Sequence, residues 1–255
     1  ALKAPAPGEA RGLGRVVVLM GGRSSEREVS LMSGRGVLQA LLEAGVDAEA
    51  FDPAERTVAE LAAGGYDRAV ISLHGRYGED GAIQGVLEYL GLPYTGPGVR
   101  ASAIAMDKAV TRKLWAADGI PVARGMVATR PEDAAAVLAG LGGDVVVKPS
   151  REGSSIGIVK LAGAGEAQIR EALGRALELD SEVLVEERVY GREFTVAVLH
   201  GKALPVIEIC APEGDYGYEN KYWGDAVRYV CPAELHAGKA AEIAAACEKA
   251  FASVG

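Results

Sequence analysis

The chain has 255 residues, 49% hydrophobic and 24% charged, enough for two or three domains with an ample core. Its 27 basic and 35 acidic residues leave a net charge of −8, which argues against a nucleic-acid groove as the main function but permits local basic pockets. Cys210, Cys231 and Cys247 have no metal-ligand spacing and suit reduced thiols in a cytosol, and no apolar run reaches the roughly 20 residues of a membrane span.

Residues 1–14, rich in Ala, Pro and Gly, read as a loose tail. Residues 15–20 are a short buried strand broken by Gly21-Gly22. A helix is predicted over 30–44 with Gly45 as its stop, then a strand over 46–51, a short helix over 58–63, a strand over 69–73 and a helix over 81–90. Strands alternating with helices predict a doubly wound parallel sheet, whose strand ends collect ligands. Two loops follow such ends, at 21–26 and 74–81, and both combine glycine with charge. Gly96-Pro97-Gly98 is a joint, followed by a helix over 101–117. A strand at 126–128, a helix over 131–138, a hairpin over 145–160, a helix over 166–177 and a strand over 183–187 make a second unit. A third opens with a strand over 193–199, turns at His200-Gly201-Lys202 and pairs back over 203–209. A polar loop at 211–226 and a helix over 233–252 close the chain, and no internal repeat is visible.

The hairpin carries the most chemistry. Lys148 ends its first β-branched run, and Gly153-Ser154-Ser155 occupy the bend. Small residues and converging backbone N–H groups suit a phosphate, and Lys148 adds a point charge. From these residues alone, a flap over nucleotide phosphates and an ordinary hairpin with a polar turn both stay open.

Five motifs settle that choice by their order. They are Gly21-Gly22-Arg23-Ser24-Ser25-Glu26-Arg27-Glu28-Val29-Ser30, His74-Gly75-Arg76-Tyr77-Gly78-Glu79-Asp80-Gly81, Met106-Asp107-Lys108, the flap from Lys148 to Ser155, and Tyr218-Glu219-Asn220-Lys221-Tyr222. Together they resemble the D-alanine–D-alanine ligase family of the ATP-grasp superfamily, over residues 15–255. The resemblance implies an α/β fold of the ATP-grasp type, α+β in its later domains. Its parts are an N-terminal doubly wound substrate domain (15–107), a central small domain with the phosphate flap (108–192) and an incomplete C-terminal antiparallel-sheet domain (193–255). It implies ATP-dependent joining of two D-alanines through a D-alanyl phosphate for peptidoglycan precursors, in a cytoplasmic homodimer with no membrane or nucleic-acid partner.

The same resemblance implies residue roles. Lys108, Lys148 and Lys221 would meet the ATP phosphates, with Ser155 beside them. Glu186 would border the adenine, backbone groups of Glu187 to Val189 would read it, and Glu193 would accept the ribose hydroxyls. Glu26 would pair with the ammonium of the first D-alanine and form a hydrogen-bonded set with Ser154 and Tyr222. His74 and Glu79 would border the first subsite, and Tyr222 favours D-alanine over D-lactate as acceptor. Taken singly, Lys108 also reads as a solvated lysine and Glu26 as a carboxylate favouring a helix N-terminus. Mg²⁺ (or Mn²⁺) is expected, but its family ligands would lie beyond residue 255, so no metal ligand is assigned within the chain. Three competing readings are another ATP-grasp carboxylate–amine ligase, a dinucleotide-dependent oxidoreductase, and a non-catalytic nucleotide-binding fragment. The second lacks the G-x-G-x-x-G spacing after residue 20.

Overall fold

A computed structural model of the chain describes residues 12–212, 216–222 and 226–255. It divides into two compact units, Ala1–Met106 and Asp107–Gly255.

The first unit is built on a three-stranded parallel sheet in the order β2-β1-β3, from β1 (Val16–Leu19), β2 (Ala48–Phe51) and β3 (Arg68–Ile71). β1 is the central strand, and all four of its residues are buried, as a strand covered on both faces requires. Helix α1 (Arg27–Glu43) starts earlier than the 30–44 expected from hydrophobic spacing. Ser24 starts the turn: its carbonyl accepts from the Arg27 N–H and its hydroxyl from the Glu26 N–H. Helix α2 (Val58–Ala63) carries a capping box between Thr57 and Glu60. Helices α3 (Ala82–Tyr89) and α4 (Val99–Met106) follow. Val17, Leu19, Phe51, Leu61, Leu73, Ile83 and Leu87 form the main core. Residues 1–11 of the expected tail lie outside the described residues. Residues 12–14 are not loose: Leu13 packs against Val16 and Val46, and its carbonyl accepts from Arg68.

The helix expected over 101–117 is two helices. Asp107 takes an extended conformation, φ −91° and ψ 101°, and its side chain caps α5 (Lys108–Ala117) by accepting the Val110 N–H. The alanine-rich flanks favour helix on both sides, which is why spacing alone hides the break. The second unit then forms a four-stranded antiparallel sheet in the order β4-β7-β5-β6. Its strands are β4 (Gly125–Ala128), β5 (Val145–Pro149), β6 (Val159–Leu161) and β7 (Val183–Glu187). Helix α6 (Ala134–Leu141) begins later than expected, because Pro131–Asp133 forms a 3-10 turn before it. Helices α6 and α7 (Glu166–Leu177) cover one face of this sheet. Val137, Ile169 and Leu173 pack there on Val145, Val147, Val183 and Val185.

The strands expected over 193–199 and 203–209 each split. β8 (Glu193–Thr195) pairs with β11 (Ile207–Cys210), which also pairs with β12 (Arg228–Val230). β9 (Val198–Leu199) and β10 (Lys202–Ala203) form a separate hairpin. Pro205 lies in the break and has no N–H to continue a ladder. Within the expected 211–226 loop, Tyr218–Tyr222 is a helical turn, α8, while 213–215 and 223–225 lie outside the described residues. The last helix, α9 (Ala237–Val254), starts after His236, whose ring caps the Gly238 N–H, so it begins one turn later than the expected 233.

Candidate active site

In the first unit, the loops after β1 and β3 converge. Glu26 is the N-cap residue of α1 and only 2% exposed. Its carboxylate, one oxygen of Glu79 and one ring nitrogen of His74 all lie within 4.8 Å of one another. The loops are stitched by hydroxyls. Ser24 Oγ donates to the His74 carbonyl at 2.7 Å, and Ser30 Oγ donates to the Ser72 carbonyl at 2.7 Å while accepting from the Gly21 N–H. Glu79 Oε2 accepts the Gly75 N–H at 2.7 Å. Gly75 has φ +66°, and a Cβ there would come 2.5 Å from Glu26 Oε2, so a side chain at this position would displace the carboxylate. A cavity of about 410 Å³ opens at the same strand ends, with Gly21, Gly22, Leu73, His74 and Ile83 in its wall. Two carboxylates and an imidazole around one point suit a small cation such as an ammonium group.

The second unit holds a larger cavity, about 990 Å³. Its floor follows from the period of β5. Val145, Val147 and Pro149 point into the core, so Val146 and Lys148 face the other way, into the cavity. Glu186 on β7 is opposite Val146 in register, which makes it the diagonal neighbour of Lys148. Lys148 Nζ donates to Glu186 Oε2 at 2.5 Å. Arg112 lies 3.6 Å from Glu186 Oε1 and donates twice to the Ala123 carbonyl. Glu186 is thus held between two cations.

Above this floor is the flap. Ser154 and Ser155 both adopt left-handed backbone conformations, φ 49° and 63°. Ser154 Oγ and Tyr222 Oη are 2.6 Å apart, and Ser155 Oγ donates to the Tyr216 carbonyl at 3.1 Å. Lys221 lies over the Tyr216 ring, 5.0 Å from its centroid, and lines the cavity with Ser155. Burial, with help from the Tyr229 hydroxyl, pushes the Tyr216 phenol up to about 12.

Lys108 takes a different place from the other lysines. It is not in the cavity wall, and its ammonium donates to the carbonyls of Ser150 and Glu152 at the root of the flap. Burial, and secondarily the charge of Lys148, pull its pKa below the ordinary lysine value. Glu187 lines the cavity, but its carboxylate accepts both the backbone and side-chain N–H groups of Arg124, which hold its pKa down. The N–H groups of Glu187 and Arg188 already donate to the Arg124 and Asp144 carbonyls. Glu193 is exposed on the cavity wall. Of the expected set, Glu26 belongs to the first unit, and Ser154 and Tyr222 are hydrogen-bonded to each other in the second.

Several residues escaped the sequence reading. Arg112 follows Lys108 by one helical turn, a spacing that could have flagged it. Ser150 is fully buried, donates to Asp107 Oδ1 and accepts the Ala109 N–H, which ties the flap root to the start of α5. Asp180 receives the Arg151 backbone N–H and guanidinium. No local pattern announces Asp180, because its partner is far away in sequence. Among the described residues, the group of His, Cys, Asp or Glu side chains arranged to hold a metal is Glu26, His74 and Glu79. The acidic residues around the larger cavity mostly face basic partners: Glu186, Glu187 and Glu208 pair with Lys148, Arg124 and Arg192. The described residues therefore do not fit a protein-built Mg²⁺ site there.

A family model described as D-ala D-ala ligase C-terminus matches residues 114–255, and one described as D-ala D-ala ligase N-terminus matches residues 46–97. The chain belongs to the D-alanine–D-alanine ligase family. It is 52% identical over 251 residues to a D-alanine–D-alanine ligase of Delftia acidovorans, an alignment covering 97% of this chain and 76% of that protein. It is 50% identical to that of Bordetella pertussis, over 95% of this chain and 77% of the relative. Its fold is similar to the crystal structure of the Bacillus anthracis ligase, with a TM-score of 0.80, 34% identity and coverage of 94% and 79% of the two chains. The same Bacillus enzyme complexed with ATP gives a TM-score of 0.79 at 31% identity, with coverage of 94% and 78%. The ATP-grasp fold expected from the motifs is borne out. Among the described residues, no helix is long and apolar enough to cross a membrane.

Proposed function

We propose that the protein joins two D-alanines into D-alanyl-D-alanine, converting ATP to ADP and phosphate. The carboxylate of the first D-alanine attacks the γ-phosphorus and ADP leaves. The amine of the second attacks the resulting acyl phosphate, loses a proton, and inorganic phosphate leaves. The observation that carries this reading is the Lys148–Glu186 pair, facing a cavity of nucleotide size beneath a flap whose two serines bond to the Tyr216–Tyr222 segment.

On this reading, Lys148 and Lys221 meet the phosphates and Ser155 lies beside them. Lys108 braces the flap root and adds charge. Glu186 and backbone near Val189 read the adenine, and Glu193 takes the ribose. Glu26, His74 and Glu79 receive the first D-alanine, while Ser154 and Tyr222 bear on the second. The reading divides the second unit near residue 192 into a central and a C-terminal domain. It also includes a cytoplasmic homodimer serving peptidoglycan synthesis. Mg²⁺ enters as the counter-ion of the nucleotide.

The test is ADP release by the full-length protein with ATP, Mg²⁺ and each of D-alanine, L-alanine, glycine and D-lactate. D-Alanine alone should support turnover, with one ADP per dipeptide. Equal or better turnover with another amino acid would transfer the chain to a different ATP-grasp carboxylate–amine ligation. No ADP with any substrate would reject ligation.

A further inference from the structure

One hydroxyl in the first unit has no part in the reaction as written. Ser33 lies on α1, and its Oγ is 2.7 Å from the Val29 carbonyl oxygen and 2.9 Å from Nε2 of His74. The Ser30 carbonyl is farther, at 3.5 Å. Two oxygens 2.7 Å apart repel unless a hydrogen lies between them, and a serine hydroxyl has only one. That hydrogen is therefore directed at Val29. Ser33 presents a lone pair to the imidazole, and Nε2 must supply the hydrogen.

We propose that Ser33 is a positioning residue that locks His74 as its Nε2–H tautomer, leaving Nδ1 as an acceptor for the ammonium group of the first amino acid. The second half of this statement rests on the reading of Glu26, His74 and Glu79 as the first D-alanine subsite. The histidine is also held through its main chain, where its carbonyl accepts from Ser24 Oγ. An ammonium group offers three donors. Two carboxylates and a neutral imidazole lone pair match them in number. The other tautomer would turn a second donor toward a cation, which is repulsive. Ser33 thereby acts on substrate only through His74, by choosing which nitrogen carries the hydrogen. The same hydroxyl accounts for a spacing in the sequence: Glu26, Ser30 and Ser33 succeed one another at intervals of four and three, on one face of the first turns of α1.

The direct test is long-range ¹H–¹⁵N correlation NMR of the imidazole rings, at a pH of about 8 where unperturbed histidines are neutral. The chain has three histidines, so His74 is assigned by the pattern missing in His74→Gln. The wild type should show a pure Nε2–H pattern. Ser33→Ala should show mixed tautomers, and Ser33→Thr, which can repeat the bond to the carbonyl one turn back, should restore the pure pattern. An Nδ1–H pattern in the wild type, or an unchanged pattern in Ser33→Ala, overturns the lock, and the wild-type spectrum decides this even if the alanine variant fails to fold. In turnover, Ser33→Ala should raise the KM for D-alanine at the first subsite about fivefold, with kcat changed by less than about twofold and rescue by threonine. An unchanged KM overturns the substrate half. The spectrum needs neither ATP nor D-alanine, so failure of the ligase reading appears in the turnover assay and not in this experiment.

Discussion

The two units present their polar groups in different ways. In the first, Glu26, His74 and Glu79 come from loops at the ends of parallel strands, and hydrogen bonds among loop hydroxyls and backbone keep them together. In the second, Lys148 and Glu186 stand on neighbouring strands, and the register of the sheet alone makes them neighbours. Loops bring several segments to one point, which suits a small amino acid. A strand face spreads its groups along a surface, which suits a long nucleotide. The difference also separates stability from chemistry. A side chain on the outer face of β5 can change while the valines beneath it keep the sheet. In the first unit, the side chains that form the site also hold its loops.

The largest expected effect tests that separation. Lys148→Ala should lower kcat/KM for ATP by about 10²- to 10³-fold, as loss of a preorganised charge commonly does. Unfolding free energy should fall by less than about 1 kcal/mol, because the pair it breaks is partly exposed. Urea titration beside kinetics measures both; a large stability loss with modest kinetics would erase the contrast. Glu26→Gln should act in the other unit. Kinetics should show the apparent KM for the first D-alanine raised about 30-fold or more, as for a buried charge pair deprived of one partner. ATP affinity should be unchanged, and a parallel loss of ATP binding would break the division of labour.

A smaller effect is expected at Asp180. Burial pushes its carboxyl pKa up, but the Arg151 hydrogen bonds outweigh it, and the net position is below the usual value. The contribution of Asp180 is therefore present above the unfolded pKa of about 3.9 and lost as pH falls through the lower folded value. Asp180→Asn should cost about 1–3 kcal/mol at neutral pH and flatten the acid limb of stability, read by urea titration between pH 3 and 7 in wild type and variant. An equally steep limb in the variant would reject this linkage. The smallest effect is Tyr222→Phe, which removes the bond to Ser154. Kinetics with D-alanine and D-lactate should show a two- to tenfold loss for D-alanine, about what a neutral hydrogen bond supplies, and a narrower preference between acceptors. Unchanged kinetics with both acceptors would deny Tyr222 a role in acceptor choice.

Local pattern made much of this legible. The run from Val145 to Lys148 reads as a strand ending in a cation, and the structure makes it β5, whose burial alternates so that Lys148 faces away from the core. The β1 run reads as a doubly covered strand and is one. Features set by pairing were hidden. Glu186 meets Lys148 only through the β5–β7 register, and Asp180 meets Arg151 across an intervening helix. The break at Asp107 was partly readable, since aspartate is a good N-cap, but the alanines on both sides masked it. Pro205 was a usable signal for the split of the later strands, since it removes a ladder donor.

The most direct measurement is equilibrium binding of ATP, with Mg²⁺, to the full-length wild type, Lys148→Ala and Glu26→Gln by calorimetry. The account predicts at least about tenfold weaker binding for Lys148→Ala, the loss of one charge-assisted contact, and wild-type affinity for Glu26→Gln. Wild-type affinity in Lys148→Ala would contradict the placement of the nucleotide on the sheet of the second unit.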